Sequence, residues 1–278
     1  MRRMMILGLC FLLFSPFPLA FSERCHPQDK KALLQLKNDL NNPYILASWN
    51  PKEDCCDWYC VRCDEKTNRI YDLDISSSVP DPDVSGQIPP SVGDLPYLDL
   101  SGSIPSSLYQ LPKLSSLQLD RNELTGSFGS FNKPGPYLIL SHNQLSGSIP
   151  DSLGNLDPER IDFSRNKLEG DASMLFGSKK RTQTLDLSRN ALEFDLSHLT
   201  FPKKSLIWLD LNHNKIYGSI PVALTTVENL QQFNVSYNRL CGEIPQGGRL
   251  QRFDEYSYLH NKCLCGSPLP PCNFKADI

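Results

Sequence analysis

The sequence predicts an α/β solenoid: a curved, right-handed stack of short coils, with a parallel β-sheet on its concave face and a disulfide-bonded cap at each end. Three observations predict it. A thirteen-residue phrase returns at intervals close to 24. The 177 residues from Asp64 to Leu240 hold no cysteine, although the chain has 10. Its 22 prolines are too many for a helical bundle, because proline removes a backbone donor and clashes with the preceding turn. The remaining composition, 40% hydrophobic and 21% charged, is that of an ordered globular chain. A net charge of −3, from 28 basic and 31 acidic residues, gives no basic stripe for nucleic acid.

Residues 1–22 read as a secretory leader. Arg2 and Arg3 supply the positive start, Met4 to Phe14 the apolar core, and Ala20-Phe21-Ser22 the small residues of a cleavage site. The apolar run is too short to cross a bilayer, and no later stretch approaches eighteen apolar residues, so no membrane span is expected. Export places the chain where disulfides persist. Cys10 departs with the leader. Cys25, Cys55, Cys56, Cys60 and Cys63 remain at the front, and Cys241, Cys263, Cys265 and Cys272 at the back. Cys60-x-x-Cys63 has zinc-ligand spacing, but secretion and the adjacent Cys55-Cys56 favour disulfides. The back four can pair completely, while the front five leave one over.

Residues 23–66 form the N-terminal cap. Asp29 is placed to N-cap a helix with Leu33, Leu36 and Leu40 on one face, ending near Asn41-Asn42-Pro43. Trp49 and the cysteine cluster follow. Residues 67–245 carry the repeat, Leu-x-Leu-x-x-Asn-x-Leu-x-Gly-x-Ile-Pro, seen from Leu209 to Pro221 and again from Phe233 to Pro245. Its asparagines, Asn122, Asn143, Asn166, Asn190, Asn214 and Asn238, are spaced 21, 23, 24, 24 and 24 apart. This is a leucine-rich repeat. Leu-x-Leu alternates inward and outward as a short strand. The asparagine turns inward, where its amide can satisfy buried backbone groups. The Gly-x-Ile-Pro phrase bends the chain outward, and only stacking buries the apolar face. An earlier copy has Leu73, Ile75, Gly86, Ile88 and Pro89. One junction, near 97–104, breaks the rhythm. Ile88 to Ile104 spans 16 residues, and Leu98-x-Leu100 retains a strand signal without an asparagine after it. A distorted coil or a missing rung is expected there. Residues 246–278 form the C-terminal cap and tail: Gly247-Gly248 ends the last repeat, and the back cysteines tie the tail over the core.

Outward positions of stacked strands form columns about 4.8 Å apart. The position before each asparagine gives Arg121, His142, Arg165, Arg189, His213 and Tyr237. Between the two apolar strand residues lie Asp74, Asp99, Gln118, Ile139, Asp162, Asp186, Asp210 and Asn234. A third column gives Asp120, Ser141, Ser164, Ser188, Asn212 and Ser236. A basic column thus runs near an acidic one, a surface suited to orienting a charged protein partner. Tyr237 and Arg189 have hot-spot chemistry. Beside the strands, Lys179 and Lys180 should stack against Lys203 and Lys204 one period later, a polyanion-tracking edge or a solvated rim. Asn234-Val235-Ser236 is the one glycosylation sequon. No catalytic set or cofactor motif emerges. The histidines His26, His142, His198, His213 and His260 form no metal pair, and the acidic column lies on an open surface rather than in a cleft that raises a carboxyl pKa.

The chain resembles a known family. Asp29-x-x-Ala32-Leu33-Leu34, Leu46-Ala-Ser-Trp49-Asn50, Cys55-Cys56-x-Trp58 and Val61-x-Cys63 look like the N-terminal cap of plant extracellular repeat proteins. The phrases from Ile161 to Gly170, Asn234 to Cys241 and His260 to Pro270 resemble plant polygalacturonase-inhibiting proteins in particular. That resemblance implies a secreted cell-wall protein of the apoplast, a monomer that binds and inhibits microbial polygalacturonases with its concave face and associates with pectin. It implies the disulfides Cys25–Cys55, Cys56–Cys63, Cys241–Cys263 and Cys265–Cys272, with Cys60 odd, at a position often held by glycine. Members usually carry further repeats between Tyr97 and Asp99, so about two repeats are absent here. Two other readings remain. A receptor-like ligand-binding module would want a membrane span. An ice-binding relative would want flat columns of Thr or Asn, where this chain has Arg, His and Asp.

Overall fold

The computed structural model describes residues 23–40, 42–43, 46–75, 100–106, 108–131 and 137–272. The leader, Cys10, the stretch with Gly86, Ile88 and Pro89, and residues 97–99 of the 97–104 junction, Asp99 among them, lie outside the described residues. The chain opens with α1 (Pro27–Asp39). His26, not Asp29, is its N-cap, and its ring accepts the Gln28 amide. The helix starts earlier than expected because Pro27 fits the first helical position, where no amide donor is needed. Asp29 sits one turn in and is buried, held by Arg69 Nη2 at 2.7 Å and by the Ile70 amide at 3.0 Å. It ties the helix to the first repeat strand. Trp49 and Trp58 stack beneath it, with ring centroids 5.5 Å apart.

The concave sheet has eight strands in the order Val61–Cys63, Ile70–Asp74, Ser116–Gln118, Tyr137–Ile139, Arg160–Asp162, Thr184–Asp186, Trp208–Asp210 and Gln232–Asn234. The first pair is antiparallel, so the cap closes one sheet edge with a hairpin. All the others are parallel and in register, with Leu73, Leu117, Leu138, Ile161, Leu185, Leu209 and Phe233 in one buried row. Short outer strands, such as Ser146–Ser148 against Lys167–Gly170, and single 3-10 turns complete each coil.

The asparagines form a ladder. Asn190 Oδ1 accepts the Leu168 amide from the preceding coil, while its Nδ2 donates to the carbonyls of Phe163 and Leu187. The other five repeat this pattern. Asn261, in the C-terminal cap, adds a seventh rung: it accepts from Leu240 and donates to Val235 and Tyr258.

The junction lacks a rung. Asp72 pairs directly with Ser116, 44 residues on, where later neighbours are 21 to 24 apart. Leu100 is not in a concave strand. Its amide donates to Asn122 Oδ1, as Leu124 does to Asn143, so it occupies the leucine position two residues after the asparagine. Ser101–Ser103 then pairs with Glu123–Thr125 as an outer strand. The expectation of a Leu98-x-Leu100 strand is corrected by this register: Leu100-Ser-Gly-Ser-Ile-Pro105 duplicates Leu145-Ser-Gly-Ser-Ile-Pro150.

Four disulfides close the caps: Cys25–Cys55, Cys56–Cys63, Cys241–Cys263 and Cys265–Cys272. Cys60 is a free, half-buried thiol in left-handed backbone at φ 67°. That conformation suits glycine.

Candidate partner-binding face

The residue before each ladder asparagine is left-handed, with φ from 53° to 58° through Arg121, His142, Arg165, Arg189, His213, Tyr237 and His260. The chain must reverse its alternation there so that the asparagine points inward. A left-handed residue other than glycine costs about 1–2 kcal/mol. Inter-coil hydrogen bonds, such as Arg165 N to the Ser188 carbonyl at 2.8 Å, hold each one in place. The side chains are thereby thrown onto the rim of the concave face, where the arginines, Tyr237 and His260 are exposed. At the C-terminal end the column becomes a stack: His213 lies on Tyr237 at 4.1 Å, and Tyr237 on His260 at 4.2 Å. Burial, then the neighbouring Arg121 and Arg165, hold His142 below the ordinary imidazole pKa. Burial, then Arg189 and Arg165, do the same for His213.

Asp162, Asp186 and Asp210 stand side by side on adjacent strands. Each clamps its own turn, accepting the amide of Ser164, Ser188 or Asn212 at 3.0–3.1 Å. Burial pushes Asp186 up to about 6, with Asp210 and Asp162 adding repulsion. The expectation that this open surface leaves carboxyl pKa values alone is therefore corrected: the concave curve and the flanking columns withdraw solvent. Ser141 and Ser164, expected as contact residues, are only 5% and 6% exposed. Their short side chains lie at the floor between the acidic and cationic columns, and the Ser164 hydroxyl donates to Asp162 at 2.7 Å. Both line the groove. An opening of about 590 Å³ runs along these columns from Gln118 to Asn212.

The lysine edge is only partly as expected. Lys179, Lys203 and Lys204 are exposed. Lys180 is not free: its Nζ donates to the carbonyls of Gly154 and Leu156, and burial lowers its pKa. It fastens two coils together. Asn234 is half-buried in its strand, where its Oδ1 accepts both the amide and the hydroxyl of Ser236.

Sequence reasoning missed a further outward column. Asp72, Ser116, Tyr137, Arg160, Thr184, Trp208 and Gln232 share one register position, one residue before the first apolar strand residue. Tyr137 is 43% exposed and Trp208 41%. Two large aromatics on an otherwise polar sheet were the available signal.

The fold and its caps define a leucine-rich-repeat protein. Residues 26–64 match the leucine rich repeat N-terminal domain family, and residues 137–156 and 205–226 match the leucine rich repeat itself. The chain is 50% identical to a polygalacturonase inhibitor of Pyrus communis, over 96% of this chain and 97% of that protein. It is 48% identical to polygalacturonase inhibitor 2 of Arabidopsis thaliana, over 94% and 98%. Among solved structures, a plant ice-binding protein is 44% identical with a TM-score of 0.62, covering 91% of this chain and all of that one. The chain belongs to the polygalacturonase-inhibitor family. The Pyrus alignment spans 327 positions and takes in 96% of this 278-residue chain, so the relative is the longer protein.

Proposed function

We propose that the chain is a secreted, non-enzymatic plant defence protein of the apoplast that inhibits a microbial, in particular fungal, polygalacturonase by covering its substrate cleft with the concave face. The observation that carries this reading is the continuous polar face from Gln118 to Asn212, with its cationic rim, on a chain half-identical to named inhibitors. Arg121, Arg165, Arg189 and Tyr237 are the exposed candidates for contact, with His142, His213, Asp162, Asp186 and Asp210 supplying the polar ground between them. The division into leader (1–22), N-terminal cap (23–66), repeats (67–245) and C-terminal cap (246–278) belongs to this proposal. So do a monomeric state, glycosylation at Asn234, and pectin association through Lys179, Lys203 and Lys204.

Ice binding is the second reading, favoured by the 44% identity to an ice-binding protein. The charged columns argue against it on this face. A titration against a panel of fungal polygalacturonases, following reducing-end release, tests the proposal. Loss of activity at stoichiometric protein is expected; activity unchanged by a folded sample across the panel refutes it.

A further inference from the structure

The groove from Gln118 to Asn212 carries guanidinium groups and carboxylates in equal number. Arg121, Arg160, Arg165 and Arg189 line it. So do Asp120, Asp162, Asp186 and Asp210, with His142 among them. The two signs are not paired off: Arg121 approaches Asp120 at 3.8 Å, and no other ion pair joins these side chains among the described residues. The backbone holds them in rows instead. Arg121, His142 and Arg165 sit on successive coils at φ 57°, 53° and 53°, and each amide donates to the next coil at 2.8–2.9 Å. The charge of such a groove can shift in one direction only. A guanidinium keeps its proton at any working pH, so the four positive charges are permanent, whereas carboxylates and imidazoles take up protons as pH falls. Asp186 faces Asp162 and Asp210 on the flanking strands, and burial, then their repulsion, pushes it up to about 6. Burial raises Asp120 and Asp210 as well. His142 faces Arg121 and Arg165 along its row and Asp162 across the groove. Burial, then the two arginines, hold it below the ordinary imidazole value, so it charges in the acidic range rather than near neutrality. Beyond the end of the groove, burial and then Arg189, Arg165 and His260 act on His213 in the same way. With His142 uncharged and all four aspartates ionised, the lining sums to zero. One proton on Asp186 and one on His142 take it to +2. A surface that turns cationic in acid attracts a face bearing carboxylates there and releases it as pH rises.

We propose that the concave groove is a pH-gated docking surface: balanced in charge at neutral pH, it turns cationic in acid through His142 and Asp186, and in that state it holds an acidic face of the partner enzyme. The proposal rests on the inhibitor reading. It makes the complex tightest in acid, and it gives His142 the part of completing the cationic row between Arg121 and Arg165.

The test measures the dissociation constant for a fungal polygalacturonase that the wild type inhibits, at pH 4.5 and pH 7, for wild type, H142Q and H142R/D186N, with melting temperatures as the folding control. Ratios between variants at one pH cancel the enzyme's own titration. H142R/D186N carries the acid-state charge at both pH values, and arginine already occupies this row and this backbone conformation at 121 and 165. The double variant should bind at least about fivefold tighter than wild type at pH 7, the low end of coupling between two binding events, and should match it at pH 4.5. H142Q should match wild type at pH 7 and lose affinity at pH 4.5. Added salt should shrink both differences. A folded H142R/D186N that binds no tighter than wild type at pH 7 overturns the gating and leaves the inhibitor reading standing, as does wild-type affinity of H142Q at pH 4.5. A wild type that binds no enzyme of the panel overturns both.

Discussion

Replacing Asp186 with asparagine should stabilise the protein at neutral pH and leave it nearly unchanged near pH 4. Asp186 is raised from 3.8 to about 6, first by burial and then by Asp210 and Asp162. A raised carboxyl pKa means that the folded state holds the proton more tightly than the unfolded state. Between pH 4 and 6 the native state binds more protons, so stability falls as pH rises through that window and stays lowered above it. A shift of about two units corresponds to about 3 kcal/mol at 1.36 kcal/mol per unit. Incomplete burial reduces this to about 2–3 kcal/mol of penalty at pH 7. Asparagine removes the charge while keeping an oxygen for the Ser188 amide, now bound at 3.0 Å. At about 2–4 °C per kcal/mol for a domain of this size, the D186N melting temperature should exceed wild type by several degrees at pH 7.5, with little gain at pH 4. Thermal scans at the two pH values measure the difference. An equal change at both would refute the linkage argument, and a loss at pH 7.5 would show that the carboxylate is stabilising.

Other expectations follow from the same geometry. Asn190→Ala should cost about 1–3 kcal/mol in chemical denaturation, because it orphans the Leu168 amide, while the Phe163 carbonyl keeps its bond from Asn166 Nδ2. Burial and Asp74 push the Cys60 thiol up to about 11, so thiol titration at pH 8 should find one group per chain that reacts quickly only after denaturation. Gly248→Ala should destabilise strongly: its φ is 61° and an added Cβ would run into the Thr225 carbonyl, which a lowered melting temperature would record.

Much of this fold was legible because the repeat phrase couples spacing to chemistry. The interval between asparagines fixed the rungs, since only a residue that both donates and accepts can bridge successive coils at that turn. The seventh rung escaped notice because Tyr258-Leu-His-Asn261 lacks the paired leucines of the phrase. The left-handed rim was invisible for a different reason. Arg and Tyr carry no preference for positive φ and His only a mild one, and the conformation is imposed by the coil. Leu98-x-Leu100 misled because two leucines one residue apart occur in the strand signal, while the copied Leu-Ser-Gly-Ser-Ile-Pro phrase places Leu100 at the outer position of Leu145, five residues beyond the strand leucine Leu140. Asp29 was misplaced because Pro27 opens the helix before it. The burial of Ser141 and the raised pKa of Asp186 depend on how neighbouring columns close over the sheet, which no single coil encodes. Tyr137 and Trp208 were overlooked because their column precedes the leucine pair, outside the positions the phrase marks.

The most direct test of concave-face inhibition is a titration of one fungal polygalacturonase with wild type, with R165E/R189E and with K179E/K203E, following reducing-end release. The concave account expects wild type and the lysine variant to abolish activity at stoichiometric protein, while the arginine variant loses at least tenfold in potency with its fold intact. Equal potency of all three, or no inhibition by folded wild type, would contradict it.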